Sequence, residues 1–248
     1  LKSVQVFTSS GTYTKPSGIT KLKVTCTGGG GSGGEGKGTY NYNGGGAAGG
    51  TAIDTINGGA GGDTIIGGGG NDILNGEAGD DDITGGAGKD TISGGDGNDT
   101  IDSADGIDTL TGGAGNDTFE FMTDGDLTGG TALVTDNVDG GEGTDLIQIT
   151  TATAITPNLT SIEQVEATFT GNVALNMSNV TTLTKATVLT GSNAAASITG
   201  LADGTVTYIG DAAFATVDYA AATNATIVLT LDRSATLNVT DAANVTLT

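Results

Sequence analysis

Residues 58–102 read GGAGGDTII GGGGNDILN GEAGDDDIT GGAGKDTIS GGDGNDTID, five nonapeptides in one register. Working outward, 49–57 (GGTAIDTIN), 103–111 (SADGIDTLT) and 112–120 (GGAGNDTFE) keep the same register, and a ninth copy, GGEGTDLIQ, stands apart at 140–148. The sixth position is Asp every time: Asp54, Asp63, Asp72, Asp81, Asp90, Asp99, Asp108, Asp117 and Asp145. The eighth is always apolar: Ile56, Ile65, Leu74, Ile83, Ile92, Ile101, Leu110, Phe119 and Ile147. A disordered Gly/Asp linker has no reason to keep that eighth position.

The residue types dictate a geometry. Gly at positions one, two and four lets the chain turn through positive φ. The last three residues then form a short strand whose middle side chain faces inward. One nonapeptide is half a turn, and two make an 18-residue coil of a flattened parallel solenoid. Loops two repeats apart stack at about 4.8 Å, and calcium bonds oxygen at roughly 2.3–2.6 Å, so an ion can bridge neighbouring loops. Asp63, Asp81, Asp99 and Asp117 are expected along one edge, Asp54, Asp72, Asp90 and Asp108 along the other, and Asp145 in the outlying copy. Loop carbonyls, taken here as those of Gly58, Gly67, Gly76, Gly85, Gly94 and Gly112, complete the oxygen shell. Three loops depart from the pattern and are the weakest cation candidates. They carry Ala52 at position four, Glu77 at position two, and Ser103-Ala104 at positions one and two.

This pattern, GGxGxDxUx, resembles the RTX (hemolysin-type) calcium-binding nonapeptide family. The resemblance implies a parallel β-roll filled with several Ca2+ ions, disordered without them, in an exported bacterial protein.

Composition narrows the rest. The chain has 248 residues, 46 of them Gly, only 10 aromatic, and neither Trp nor His. Without His there is no Ser-His-Asp or Cys-His catalysis and no His-based metal site. The string GGSGG at 30–34 therefore lacks a base to activate its serine, and the chain is read as non-enzymatic. A net charge of −21 disfavours nucleic acid, whose phosphates need a basic surface, and favours cations. Residues 49–120 alone hold 13 Asp and 2 Glu against Lys89. No apolar stretch is long enough for a membrane span. The single Cys26 forbids an internal disulfide, and its place in KLKVTCT marks it as a buried strand residue.

Beyond the nonapeptides, VEATFTG (165–171) is echoed by KATVLTG (185–191), TVTYIGD (205–211), TIVLTLD (226–232) and VTLT (245–248). Spacings of 19 to 21 and intervening second strands indicate a parallel β-helix continuing the solenoid over 121–248. Stepping back 20 from Val165 joins it to Asp145. A Thr-rich antiparallel sandwich is the alternative. The segment is similar in composition to the β-helical parts of bacterial S-layer proteins. Residues 1–48 read as a small β-hairpin (4–7 and 22–26) plus a glycine-rich segment. Phe7, Gly11, Tyr13, Pro16, Gly18 and Ile19 resemble the glycine-rich domain of phage tail fibres and surface proteins.

The resulting expectation is an all-β protein: a calcium β-roll over 49–120 between the hairpin and the β-helix. It would act as a structural building block at a bacterial cell or virion surface. Its partners would be copies of itself or neighbouring surface proteins, with glycans as a further class. The calcium-binding tail of an exported enzyme or toxin, and a glycan-binding adhesin, are the alternatives. The opening Leu1 and the ending in mid-pattern suggest a processed or excerpted chain.

Overall fold

Strands form wherever the nonapeptide pattern ends in an apolar residue between two β-tolerant ones, and each strand lies beside the strand two repeats away. The computed structural model describes residues 38–41, 47–48, 53–121, 136–151, 154–170, 173–178, 180, 182–190, 195–201, 204–210, 214–222, 225–231, 236–242 and 245–247. The expected N-terminal hairpin, Cys26, most of the glycine-rich segment and Ala52 lie outside these residues. Among the described residues every regular element is a strand, and every strand pairing is parallel.

Two sheets build the roll. The first has seven strands in the order Gly38–Asn41, Asp54–Ala60, Ile73–Ala78, Thr91–Asp96, Thr109–Ala114, Asn137–Glu142 and Asn158–Thr160. The second has eleven, beginning Ala47–Ala48, Thr64–Gly69, Asp82–Ala87, Thr100–Asp102, Thr118–Phe121, Leu146–Thr151 and Gln164–Phe169. It continues through Lys185–Thr190, Gly204–Gly210, Ala225–Leu231 and Val245–Leu247. Past the roll a third sheet takes the other wall, as Val173–Asn176, Ala195–Leu201, Phe214–Ala222 and Thr236–Ala242. The antiparallel sandwich is thereby excluded.

The coil length follows the sequence. Partners lie 18 residues apart through the nonapeptides (Ile65 beside Ile83) and 28 apart where ten extra residues intervene (Phe119 beside Ile147). Beyond Gln164 the step becomes 21, 20, 21 and 20. One detail of the sequence reading is corrected. Val165 pairs with Ile147, not Asp145, and with Ala186, not Lys185. Side chains alternate faces with period two. A 20-residue step from Val165 would turn Lys185 inward, whereas the 21-residue step buries Ala186 and leaves Lys185 exposed.

The core of the roll is two facing files, Ile56, Leu74, Ile92 and Leu110 from one sheet and Ile65, Ile83 and Ile101 from the other, one residue per nonapeptide and all buried. It thickens at Phe119 and Phe121, then widens with Ile149, Phe169, Leu175, Met177 and Ile198 as the coils lengthen. A core this thin cannot repack around a void, so Ile92→Ala should cost about 2–5 kcal/mol. Ile73→Ala, on a side chain 44% exposed, should stay within about 0.5 kcal/mol. Denaturant unfolding in saturating calcium measures both.

Candidate metal centre

The position-six aspartates do not point into solvent. Asp54, Asp63, Asp72, Asp81, Asp90, Asp99, Asp108, Asp117 and Asp145 are all buried, on the same side of the chain as the position-eight residues. They stack in two ladders, Asp54–Asp72–Asp90–Asp108 and Asp63–Asp81–Asp99–Asp117–Asp145. In each, the backbone N–H of one Asp donates to Oδ1 of the Asp one coil later, at 2.7–2.9 Å. The backbone carbonyl of each Asp accepts from the residue following the next Asp, as Thr91 N–H to Asp72 and Thr100 N–H to Asp81. Register between coils is thus written into the carboxylates themselves.

From Asp72 onward only one oxygen of each carboxylate is used this way. The second oxygens, Oδ2 of Asp72, Asp81, Asp90, Asp99, Asp108, Asp117 and Asp145, are buried with no hydrogen-bond donor. A buried acceptor left so costs about 1–3 kcal/mol, and more when charged. Burial is the first cause that pushes the carboxyls of Asp90, Asp99, Asp108 and Asp145 up to about 6. It raises those of Asp72, Asp81 and Asp117 as well. The N–H bond from the preceding coil opposes the shift. The charge of the neighbouring ladder Asp adds to it in all of these but Asp117.

Position one supplies the matching space. A Cβ at Gly58 would lie 2.7 Å from the Gly76 carbonyl oxygen and 2.9 Å from Asp63 Oδ2. At Gly85 it would lie 2.8 Å from both the Ser103 carbonyl oxygen and Asp90 Oδ2. Gly67, Gly76, Gly94 and Gly112 repeat the arrangement, facing Asp72, Asp81, Asp99 and Asp117 and the carbonyls of Gly85, Gly94, Gly112 and Gly140. Glycine therefore leaves a cradle with a carboxylate oxygen on one side and a carbonyl of the next coil on the other. Among the described residues no three acidic, His or Cys side chains converge, so a cation here needs carbonyls as well as carboxylates. That donor set suits calcium, which takes six to eight oxygens of mixed kind, and not zinc, which prefers nitrogen and sulfur.

The departures behave differently from one another. Glu77 and Ala104 hold the left-handed turn of position two, with φ of 76° and 60°, at roughly 1–2 kcal/mol each. Ser103 is a change of another kind, because it puts a buried side chain beside the Asp108 carboxyl where the other repeats have glycine.

Three features escaped the sequence reading. Asp136 Oδ1 accepts from Asp108 N–H at 2.6 Å, extending the first ladder across the ten extra residues. It is the sixth residue of TALVTDNVD (131–139), with Val138 eighth, a copy that has lost every glycine. Glu163 Oε2 accepts from Asp145 N–H at 3.0 Å, ending the second ladder. Position five forms an outer ladder, in which Asp80, Asn98 and Asn116 accept from Asn98, Asn116 and Thr144 N–H at 2.7–2.8 Å.

Compared with known families, residues 48–83, 76–110 and 93–126 match the hemolysin-type RTX calcium-binding nonapeptide repeat, a four-copy unit. The segment 48–126 is an RTX repeat array. RTX repeats bind calcium and occur in secreted proteins. No curated protein and no solved structure matches the chain, so the S-layer and tail-fibre likenesses rest on its sequence alone. Among the described residues no helix is long and apolar enough to cross a membrane.

Two outcomes are expected. In chelator, carboxyls that titrate near 6 when folded and near 3.8 when unfolded stabilise the ion-free fold fully below 3.8, and this stability is lost as pH rises through about 6. In chelator, circular dichroism should therefore show more β signal at pH 4.5 than at pH 7.5, whereas in calcium the melting midpoint should be higher at pH 7.5. Filling a cradle by Gly94→Ala should remove about one bound calcium per chain in equilibrium dialysis, and emptying one by Ser103→Gly should add one.

Proposed function

We propose that this chain is a calcium-stabilised structural building block of an extracellular surface assembly, of the S-layer, surface-filament or phage-fibre kind. The observation that carries the reading is the eleven-stranded parallel sheet. It runs in register from the RTX roll into the Thr-, Ala- and Val-rich coils. At the usual spacing of about 4.8 Å its first and last strands lie about 48 Å apart, a continuous rod in place of a lobe built around a cavity.

The RTX end gives that rod a dependence on calcium. Each nonapeptide contributes one large apolar side chain to the core, too little to order a chain so rich in glycine and acid. Binding free energy of the ion becomes folding free energy. Extracellular calcium modules bind at about 10⁻⁴–10⁻³ M, so the chain would stay unfolded at low intracellular calcium and set outside the cell.

The experiment takes the purified full chain in millimolar calcium and in excess chelator, read by circular dichroism and negative-stain electron microscopy. Ordered arrays or filaments in calcium, with loss of β signal in chelator, are expected. A calcium-folded monomer that binds a glycan array and never assembles would replace this reading with the adhesin one. Unchanged β signal in chelator would remove the calcium dependence altogether.

A further inference from the structure

The second acidic ladder ends at a place that the nonapeptide pattern does not describe. Asp145 is fully buried, its Oδ1 accepts from Asp117 N–H at 2.8 Å, and its Oδ2 has no donor. Beside it Gly140 leaves the same cradle as the earlier position-one glycines, but the carbonyl closing the far side belongs to Ser161. The turn there is shortened. Where a nonapeptide has four residues between its first position and its Asp, only Ile162 separates Ser161 from Glu163. The extra methylene of Glu lets its carboxylate still reach Asp145 N–H at 3.0 Å.

The turn 161–163 is fastened to the coil after it. The Glu163 carbonyl accepts from Thr184 N–H at 2.9 Å and from Lys185 N–H at 3.1 Å. The Thr182 hydroxyl donates to the Ile162 carbonyl at 2.8 Å and accepts from Ile162 N–H at 3.0 Å. Whatever holds the Ser161 carbonyl against Asp145 therefore holds the first of the longer coils as well.

We propose that the cradle beside Gly140 is a divalent-cation site shared between the last nonapeptide and the turn 161–163, so that calcium on Asp145 fastens the longer coils to the RTX roll. Asp145 Oδ2 and the Ser161 carbonyl are its ligands from the two sides, and Glu163 is a positioning residue that fixes the backbone of Asp145. The site lies beyond the matched RTX segment and rests on the reading of the RTX edges as calcium sites.

The test uses the full chain and calcium chloride alone, with Asp145→Asn, which keeps the Oδ1 acceptor, and Asp99→Asn in mid-roll as control. Bound calcium is counted by equilibrium dialysis, and backbone hydrogen exchange is followed at 164–190 and at 82–121. Asp145→Asn should bind one calcium fewer and lose calcium-dependent protection at 164–190 by tenfold or more, with 82–121 unchanged. Glu163→Gln, which keeps an acceptor, should bind the full number with several-fold weaker affinity at one site. Full stoichiometry in Asp145→Asn while Asp99→Asn loses an ion overturns the proposal, as does protection at 164–190 that ignores the substitution. If neither variant loses an ion, the calcium reading of the edges itself fails. Should Asp145→Asn not fold, Gly140→Ala keeps every carboxylate and fills the cradle. Its full stoichiometry would equally overturn the site.

Discussion

Everything in this fold depends on one carboxylate serving two masters. One oxygen of each of Asp72, Asp81, Asp90, Asp99, Asp117 and Asp145 takes the N–H of the coil before it, which sets the coils at sheet spacing and in register. The other oxygen is left in a dry cradle opposite a carbonyl of the coil after it. The first oxygen makes the stack possible, and the second makes it unstable alone, because a column of desolvated acids repels itself. A proton or a divalent cation relieves that repulsion, and only the cation also joins one coil to the next.

The roll and the longer coils solve the same stacking problem with different means. In the roll the aspartates are buried beside one apolar side chain per repeat, and cohesion comes through oxygen. Past Gln164 the nonapeptide pattern ends, the coil lengthens by two or three residues, and Phe169, Leu175, Met177, Val188 and Ile198 thicken the interior. Carboxylate and hydrophobe thus trade places along one continuous sheet. This is the physical basis for reading the molecule as a rod whose setting depends on its surroundings.

Most of the roll could be read from the sequence because its period, its Asp and its apolar residue recur without exception. Two edges, an 18-residue coil and parallel pairing all follow from that recurrence. The inward aim of the carboxylates did not follow, since an acidic residue in a Gly-rich loop suggests solvent, and only the stacked N–H donors explain its burial. Asp136 was hidden because the glycines that announce a repeat are missing around it. Glu163 was hidden because a shortened turn and a longer side chain restore the same hydrogen bond from a different spacing. The one-residue offset at Val165 has a plain cause too: the similar runs match on their threonines, whereas the fold matches them on which side chains face in.

The ten residues added between Phe121 and Asp136 bear on how such a molecule can change its length. Because Asn137–Glu142 takes its place in the seven-stranded sheet beside Thr109–Ala114, as the strand of an uninterrupted repeat would, Asp117 still meets Asp145 and the downstream register is kept. Removing a single nonapeptide would be a different event, handing every later strand to the opposite wall and setting the eleven-stranded sheet against the wrong partners. Growth and loss in this molecule are thus governed by parity: ten added residues leave the stacking intact, but whole repeats can come and go only in pairs.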